Sequence, residues 1–185
     1  MTRAALLAAL LLATLPASAA GLRVDLIAFA PAAGDDAAWG APYEALPCHL
    51  VGFDGARAVP AFGADDDCRR EAGLDAATGG YSAIGPSTLS AAADKLRAGG
   101  FRVLVNRGWQ QAAVQQSPVL LRAEGLEGYI ALRGSERLVE VELVLTRRQD
   151  GETPRYAQLR EVRRLKPGEA HYFDHPLLGA IIQLR

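Results

Sequence analysis

Apolar and polar residues alternate along much of the second half of the chain, with the period of two that is typical of β-strands. The clearest case is Val139–Leu145, where every second residue is aliphatic and Glu140 and Glu142 fall on the opposite face. In the stretch 101–109, the alternation predicts one face that carries Phe101, Val103, Val105 and Trp109. Further strands are predicted at residues 22–29, 119–122, 126–132, 156–165 and 177–184. The short connections between most of these segments favour hairpins, and therefore a largely antiparallel sheet.

One segment follows the helical period instead. Its apolar residues recur at i, i+3, i+4 and i+7 and form one stripe, made of Leu89, Ala92, Ala93 and Leu96. Ser87 stands where an N-cap residue is expected, and Gly99-Gly100 supplies a left-handed stop. The sequence therefore predicts one main helix that packs on a face of the sheet.

Residues 30–85 follow neither period and are rich in glycine, alanine, proline and aspartate. The predicted fold class is α+β: a largely antiparallel β-sheet with one main helix packed on a face and a long irregular N-terminal excursion. A length of 185 residues, half of them hydrophobic, suits a single domain, here expected at 20–185. The formal net charge of −1 gives no reason to expect a nucleic acid or an anionic membrane as partner.

The N-terminus has the layout of a secretory signal peptide. Met1–Arg3 is a short positive region, Ala4–Leu15 is an apolar run too short to span a bilayer, and Pro16 ends it. Ala17-Ser18-Ala19 places small residues before the expected cleavage at Ala20. The sequence predicts a signal peptide at 1–19 and export of the mature protein with no membrane span. A retained membrane anchor is the alternative.

Cys48 and Cys68 are the only two cysteines in the chain. In an oxidising compartment an even pair favours a disulfide, which would close a loop of about twenty residues and stabilise the fold by about 3 kcal/mol in the chain-entropy model. Neither cysteine has a C-x-x-C spacing, and His49 beside Cys48 is interpreted as incidental.

A cluster of two histidines, an aspartate and two aromatic residues lies at 171–175 near the C-terminus. The interpretation favoured by turn chemistry is structural, with Asp174, His175 and Pro176 forming a turn into the last strand. A binding surface is the second interpretation. The third is a metal or catalytic site built on His171, Asp174 and His175.

Two other groups of residues could contact a ligand. Trp109 beside Gln110 offers an aromatic face and an amide, which is the chemistry that recognises a sugar, although Trp109 could equally complete the core face of its strand. Arg163 and Arg164, close to Arg160, could clamp carboxylates or phosphates, although charged residues also protect the edge strand of a sheet.

The run from Arg163 to Gly179 resembles the C-terminal signature of the CsiV family, periplasmic peptidoglycan-binding proteins of Gram-negative bacteria. The shared pattern is paired arginines, then a glutamate leading into His-Tyr-x-Asp-His-Pro, then a glycine and an apolar strand. The helix, the strand after it and Trp109-Gln110 extend the resemblance upstream. Asn106 stands where the family commonly has a histidine, and Ala112 stands where a proline is usual.

The resemblance implies a non-enzymatic periplasmic protein that binds peptidoglycan and supports the cell-wall synthesis machinery, with no cofactor. It names no binding residues, and the residue chemistry supplies the candidates Trp109, Gln110, Arg163, Arg164, His171 and Tyr172. One alternative is an adaptor between envelope proteins that makes no direct wall contact. A second alternative is a metal-dependent hydrolase that uses His171, Asp174 and His175.

Overall fold

The computed structural model describes residues 21–32, 36–40, 51–54, 57–60, 81–112, 118–133, 137–148 and 151–185. The expected signal peptide, His49 and the Cys48–Cys68 pair lie outside these residues.

The described residues form one eleven-stranded sheet with a single α-helix. The strands are β1 (Leu22–Pro31), β2 (Val51–Asp54), β3 (Arg57–Pro60), β4 (Tyr81–Gly85), β5 (Phe101–Gln111), β6 (Val119–Ala123), β7 (Leu126–Arg133), β8 (Leu138–Arg147), β9 (Arg155–Arg164), β10 (Ala170–His175) and β11 (Leu178–Leu184). The helix is α1 (Ser90–Ala98), and a short 3-10 turn covers Asp36–Ala38. The strand order is β10-β11-β1-β5-β4-β3-β2-β6-β7-β8-β9. All pairings are antiparallel except a single parallel contact, Val51↔Val119, between β2 and β6, so the structure is mostly an antiparallel sheet with one short helix.

The sheet curls until its two outermost strands, β9 and β10, lie side by side. The Arg163 guanidinium of β9 donates to the backbone oxygen of Tyr172 in β10 at 3.0 Å. Just beyond β9, the Lys166 backbone N–H donates to His171 Nε2 at 3.1 Å. These hydrogen bonds link the two edges of the sheet, which would otherwise present unpaired backbone groups.

The inside of the curl holds the main hydrophobic core. The alternation predicted for β8 is confirmed, because its four aliphatic residues face this core together with the inner residues of β1, β5, β7 and β11. The prediction for β5 is wrong in part. Ala28 pairs with Val105 while Phe29 pairs with Val103, so an extra residue, Leu104, bulges out of the ladder. The bulge turns Val103 to the outer face while Val105 and Trp109 stay in the core.

Helix α1 packs on the outer face of the sheet, where Ala93 contacts Ile27 and Phe29 of β1 within a small second cluster. The expected N-cap at Ser87 is wrong, because the helix begins at Ser90 and its N-cap position, Leu89, has no side-chain cap. The Ser87 hydroxyl oxygen instead accepts the Leu89 N–H at 3.2 Å in the preceding turn. At the other end only Gly100 has a left-handed conformation, with φ of 84°.

The region expected to be irregular contains regular structure. β1 extends to Pro31, and β2, β3 and β4 all fall within residues 30–85. The single apolar residues of these short strands give too weak a period for the sequence to indicate them. β10 was also not predicted, because a run with two histidines and an aspartate was interpreted as a turn.

Candidate functional site

One end of the curled sheet opens into a cavity of about 460 Å³. It lies where the end of β1, the start of β5, the β6–β7 turn and the end of β8 come together. Leu145 and Leu177 contribute apolar surface from the core, and the polar and aromatic lining consists of Trp39, Arg102, Glu124, Thr146, Arg147 and Arg148. We call this cavity the end pocket. Its volume falls within the range of about 300–1,000 Å³ that is usual for small-ligand sites.

Trp39 is fixed in the wall of the end pocket from several sides. Its side chain is half-buried and packs against the main core. Its backbone oxygen accepts from the Arg155 guanidinium at 3.1 Å, and the neighbouring Gly40 forms an isolated bridge with Tyr156 of β9. The Arg147 guanidinium lies over the indole ring, 4.9 Å from its centroid, in a cation–π contact. Trp39 and Arg147 therefore hold each other in place.

The end pocket is predominantly positive, since three arginines and one glutamate line it. Arg102 and Arg148 are exposed, and neither takes part in any ion pair within the described ranges. A guanidinium is a planar fork of donors that matches a carboxylate or a phosphate. The arrangement can therefore receive an anionic group.

A second, more open groove of about 570 Å³ lies against the end pocket. Both cavities are lined by Glu124, Gly125, Thr146 and Arg148. Gly125 has a φ of 70°, the left-handed conformation that the tight β6–β7 turn requires there. The turn is thus a wall common to the two cavities.

The structure places Trp109 in the core rather than on a surface. Its side chain is 0% exposed, and its indole N–H donates to the side-chain oxygen of buried Gln111 at 2.7 Å. No ring face is available to stack on a sugar, so this structure corrects the expectation for Trp109. Gln110 is exposed on the neighbouring position of β5 and pairs with Ser82 in β4. The structure does not bring Gln110 to the end pocket.

Arg163 and Arg164 lie at the exposed end of β9. The Arg163 guanidinium contacts Glu161, donates to the Tyr172 backbone oxygen and lies 5.0 Å from the centroid of the Phe173 ring. It is thereby engaged in joining β9 to β10. Arg164 also has interaction partners of its own.

His171 and Tyr172 are neighbours on β10 that face opposite sides of the sheet. His171 accepts the Lys166 N–H, which fixes the proton of a neutral ring on Nδ1. Tyr172 stacks on Phe29, with ring centroids 5.9 Å apart, yet 49% of the residue stays exposed. Its hydroxyl donates to Asp174 Oδ1 at 2.9 Å. Burial and then this hydrogen bond raise the pKa of Tyr172.

The three residues expected to form a turn are divided between two elements. Asp174 and His175 are the last residues of β10, while Pro176 begins the two-residue connection to β11. Asp174 bonds the Tyr172 hydroxyl rather than a backbone amide. The histidine supports the turn, since His175 Nδ1 accepts the Leu177 N–H at 3.2 Å. Burial lowers the pKa of His175, and the nearby Asp174 carboxylate offsets this only partly.

The hydrolase alternative rested on His171, Asp174 and His175. One ring nitrogen of each histidine accepts a backbone N–H, and Asp174 accepts from Tyr172. In the part of the chain that the structure describes, no group of three or more His, Cys, Asp or Glu side chains is placed to hold a metal ion.

Sequence reasoning missed the end pocket as a site. Trp39 falls in the region expected to be irregular, and Arg147 and Arg148 read as an ordinary basic pair at the end of a strand. Their residue types were a visible signal, because tryptophan and arginine are enriched in binding sites. Their proximity was not visible, because it depends on how the sheet curls.

An ion pair between buried Asp25 and partly exposed Arg23 was also not predicted from the sequence. Asp25 of β1 is 0% exposed, and its carboxylate accepts hydrogen bonds from both Nε and Nη2 of Arg23, each at 3.0 Å. The Thr88 N–H and hydroxyl donate to the same carboxylate at 2.9 and 2.8 Å. Burial alone would raise the pKa of Asp25, but the hydrogen bonds from Arg23 and Thr88 outweigh it and hold the pKa below its usual value. This carboxylate anchors the turn before α1 to the sheet.

A second polar cluster lies on the opposite face of β7 and β8 from the core. The Tyr129 hydroxyl is 3.0 Å from a Glu140 oxygen and 3.1 Å from a Glu142 oxygen. Arg133 pairs with Glu140, and Gln158 donates to Glu142. Burial and the two carboxylates raise the pKa of Tyr129. The glutamates predicted to be opposite the core are therefore buried in a hydrogen-bonded network rather than solvated.

These features define an α+β protein, built on one curled, mostly antiparallel sheet with a basic pocket at its end. The family model described as "Peptidoglycan-binding protein, CsiV" matches residues 121–185, roughly a third of the chain, and this confirms the resemblance to the CsiV family over β7 to β11 and most of β6. Comparison with curated proteins and with solved structures returned no match. No helix in the described ranges is long and apolar enough to cross a membrane.

Proposed function

We propose that the protein binds peptidoglycan without catalysis, in the periplasm after export, and so supports cell-wall synthesis. The family match suggests peptidoglycan as the ligand and an envelope location. The proposed leader at 1–19, with cleavage before Ala20, is the route to that compartment.

The observation that carries the proposal is the end pocket. Peptidoglycan combines neutral glycan strands with peptide stems that bear carboxylates. A basic cavity with exposed Arg102 and Arg148 has the charge needed to bind such a polymer. Much of the lining, from Glu124 to Leu177, falls inside the segment that matches the family model.

The test is co-sedimentation of the mature protein with sacculi from a Gram-negative bacterium that have been boiled in detergent to remove bound proteins. We expect the protein to pellet with the sacculi, and less of it to pellet as salt is raised, because salt screens charge contacts at exposed sites. Recovery of the protein in the supernatant at low salt contradicts the proposal.

The adaptor alternative is favoured by a different observation, the exposed apolar residues on the outer side of the sheet. Val162 is 56% exposed and Tyr172 is 49% exposed. Exposed apolar residues mark a contact with another protein where they form a contiguous patch. Binding to untreated envelope fragments, without binding to protein-free sacculi, is the outcome expected of an adaptor.

A further inference from the structure

We propose that the end pocket binds the carboxylate-bearing peptide stems of the wall polymer and not its glycan strand. This inference rests on the proposed function and deepens it. It assigns a ligand class to a cavity whose arginines come from β5 and from the end of β8.

The first argument is the charge of the lining. Arg102 comes from the start of β5 and Arg148 follows the end of β8, so two distant parts of the chain each place an exposed guanidinium at one cavity. Neither guanidinium forms an ion pair with a carboxylate of the described residues. Two such cations brought close together repel each other, and an anionic ligand relieves that repulsion. A neutral sugar leaves that repulsion unchanged.

The second argument concerns what covers the indole ring of Trp39. A sugar site needs an open aromatic face on which the C–H groups of a pyranose can stack. Trp39 packs against the core and carries the Arg147 guanidinium 4.9 Å from its ring centroid. The ring thus positions a third cation beside the cavity. It does not serve as an open platform for a sugar.

The third argument is Glu124 in the β6–β7 turn, the one acidic residue among the described residues of the lining. A peptide stem that contains a diamino acid carries an ammonium group as well as carboxylates. One carboxylate among three guanidiniums matches a ligand with both charges and an excess of negative charge. Glycan strands without stems lack this combination.

The experiment compares three soluble probes by calorimetric titration: a disaccharide with a tetrapeptide stem, the same compound with its stem carboxylates amidated, and the disaccharide without a stem, its lactyl carboxylate capped as the amide so that the probe is neutral. The variants are Arg102→Gln with Arg148→Gln, and Arg97→Gln as a matched control. Arg97 is an exposed arginine on α1, paired with Asp94 and not part of the end pocket. Circular dichroism verifies that each variant is folded.

We expect the intact stem compound to bind, and amidation to weaken binding at least tenfold, because charge-assisted hydrogen bonds contribute more than neutral ones. The double variant should bind the intact compound about as much more weakly as amidation makes it bind, and its binding of the other two probes should not change. Arg97→Gln should bind all three probes like the wild type. Equal binding of the stem-free disaccharide, or unchanged binding by a folded double variant, overturns the inference. If sacculi retain the protein in that case, the proposed function stands and only the assignment of the stem to this pocket fails.

Discussion

At the scale of single residues, Asp25 is the most unusual, because it is a charged group with no exposed surface at the start of a central strand. Four hydrogen bonds from two residues hold its carboxylate, and Thr88 belongs to the turn that leads into α1. A buried carboxylate of this kind is costly unless all of these donors are present. Its role is to fix the helix on the sheet.

We predict that Asp25→Asn lowers the free energy of unfolding at neutral pH by about 3 kcal/mol, because it removes the anion that Arg23 and Thr88 surround. The folded pKa of Asp25 lies below its unfolded value, so this stabilisation is present above about pH 5 and is lost as the pH falls through about 4 and below. Urea unfolding at pH 7 and pH 3.5 measures both effects.

The matched control for that experiment is Asp94→Asn, which alters an exposed ion pair on α1. It should change the free energy of unfolding by no more than about 0.5 kcal/mol. A difference between Asp25→Asn and the wild type that is the same at both pH values contradicts the assignment of charge to Asp25.

Gly128 illustrates a different constraint, the space between two strands. A Cβ atom added there would lie 2.8 Å from Leu143 Cα and closer still to the Glu142 backbone oxygen. Both neighbours are backbone of β8, which cannot move without disturbing the ladder. We predict that Gly128→Ala destabilises the fold by about 3 kcal/mol in thermal or urea unfolding.

Gly21→Ala is the control for this substitution, because its nearest neighbour, the Gln111 backbone oxygen, is at an ordinary 3.7 Å. The control should leave stability nearly unchanged. A Gly128→Ala protein that is as stable as the control would show that β7 and β8 are less tightly packed than the structure indicates.

At the scale of elements, the β10–β11 hairpin is the clearest case of local chemistry. His175 Nδ1 accepts the Leu177 N–H, which requires a neutral ring. Since burial lowers the folded pKa of His175, the neutral ring contributes stability above about pH 6.5, and this contribution is lost as the pH falls through the folded pKa.

We predict that the Leu177 amide proton changes its chemical shift and loses exchange protection as the pH is lowered from 7 to 5. His175→Asn is the informative comparison, because its side-chain oxygen can accept the same N–H and does not titrate. An identical pH response in that variant would remove His175 as the cause.

The strands and the helix also show which structural features can be predicted from a local sequence pattern and which cannot. The face of β8 was predicted because its residues alternate strictly, whereas the bulge in β5 occurs in the fully apolar Val103-Leu104-Val105, where alternation carries no register. The start of α1 was misplaced because a carboxylate 63 residues away in sequence accepts the Thr88 N–H. Local capping rules cannot include such a partner.

At the scale of the whole molecule, the candidate site was the least predictable feature. The end pocket draws on residues from six separate segments between Pro31 and Leu177, and no pattern in any one of them marks it. The C-terminal cluster of two histidines, an aspartate and two aromatic residues instead lies on an edge strand, β10, whose contacts join the two edges of the sheet. The Cys48–Cys68 disulfide stays a prediction. What the sequence supplied was the class of fold and the family resemblance.

The pairing of β1 with β11 has a consequence for the order in which the molecule is made. Val24 pairs with Leu184, a partner 160 residues further along the chain. A chain that is synthesised or translocated from its N-terminus therefore holds one side of its first strand unpaired until almost all of the domain has emerged. Contacts so distant in sequence slow folding, and they prolong the time during which unpaired strand edges are exposed to aggregation. We expect the nascent protein to depend on chaperones more than its modest size suggests.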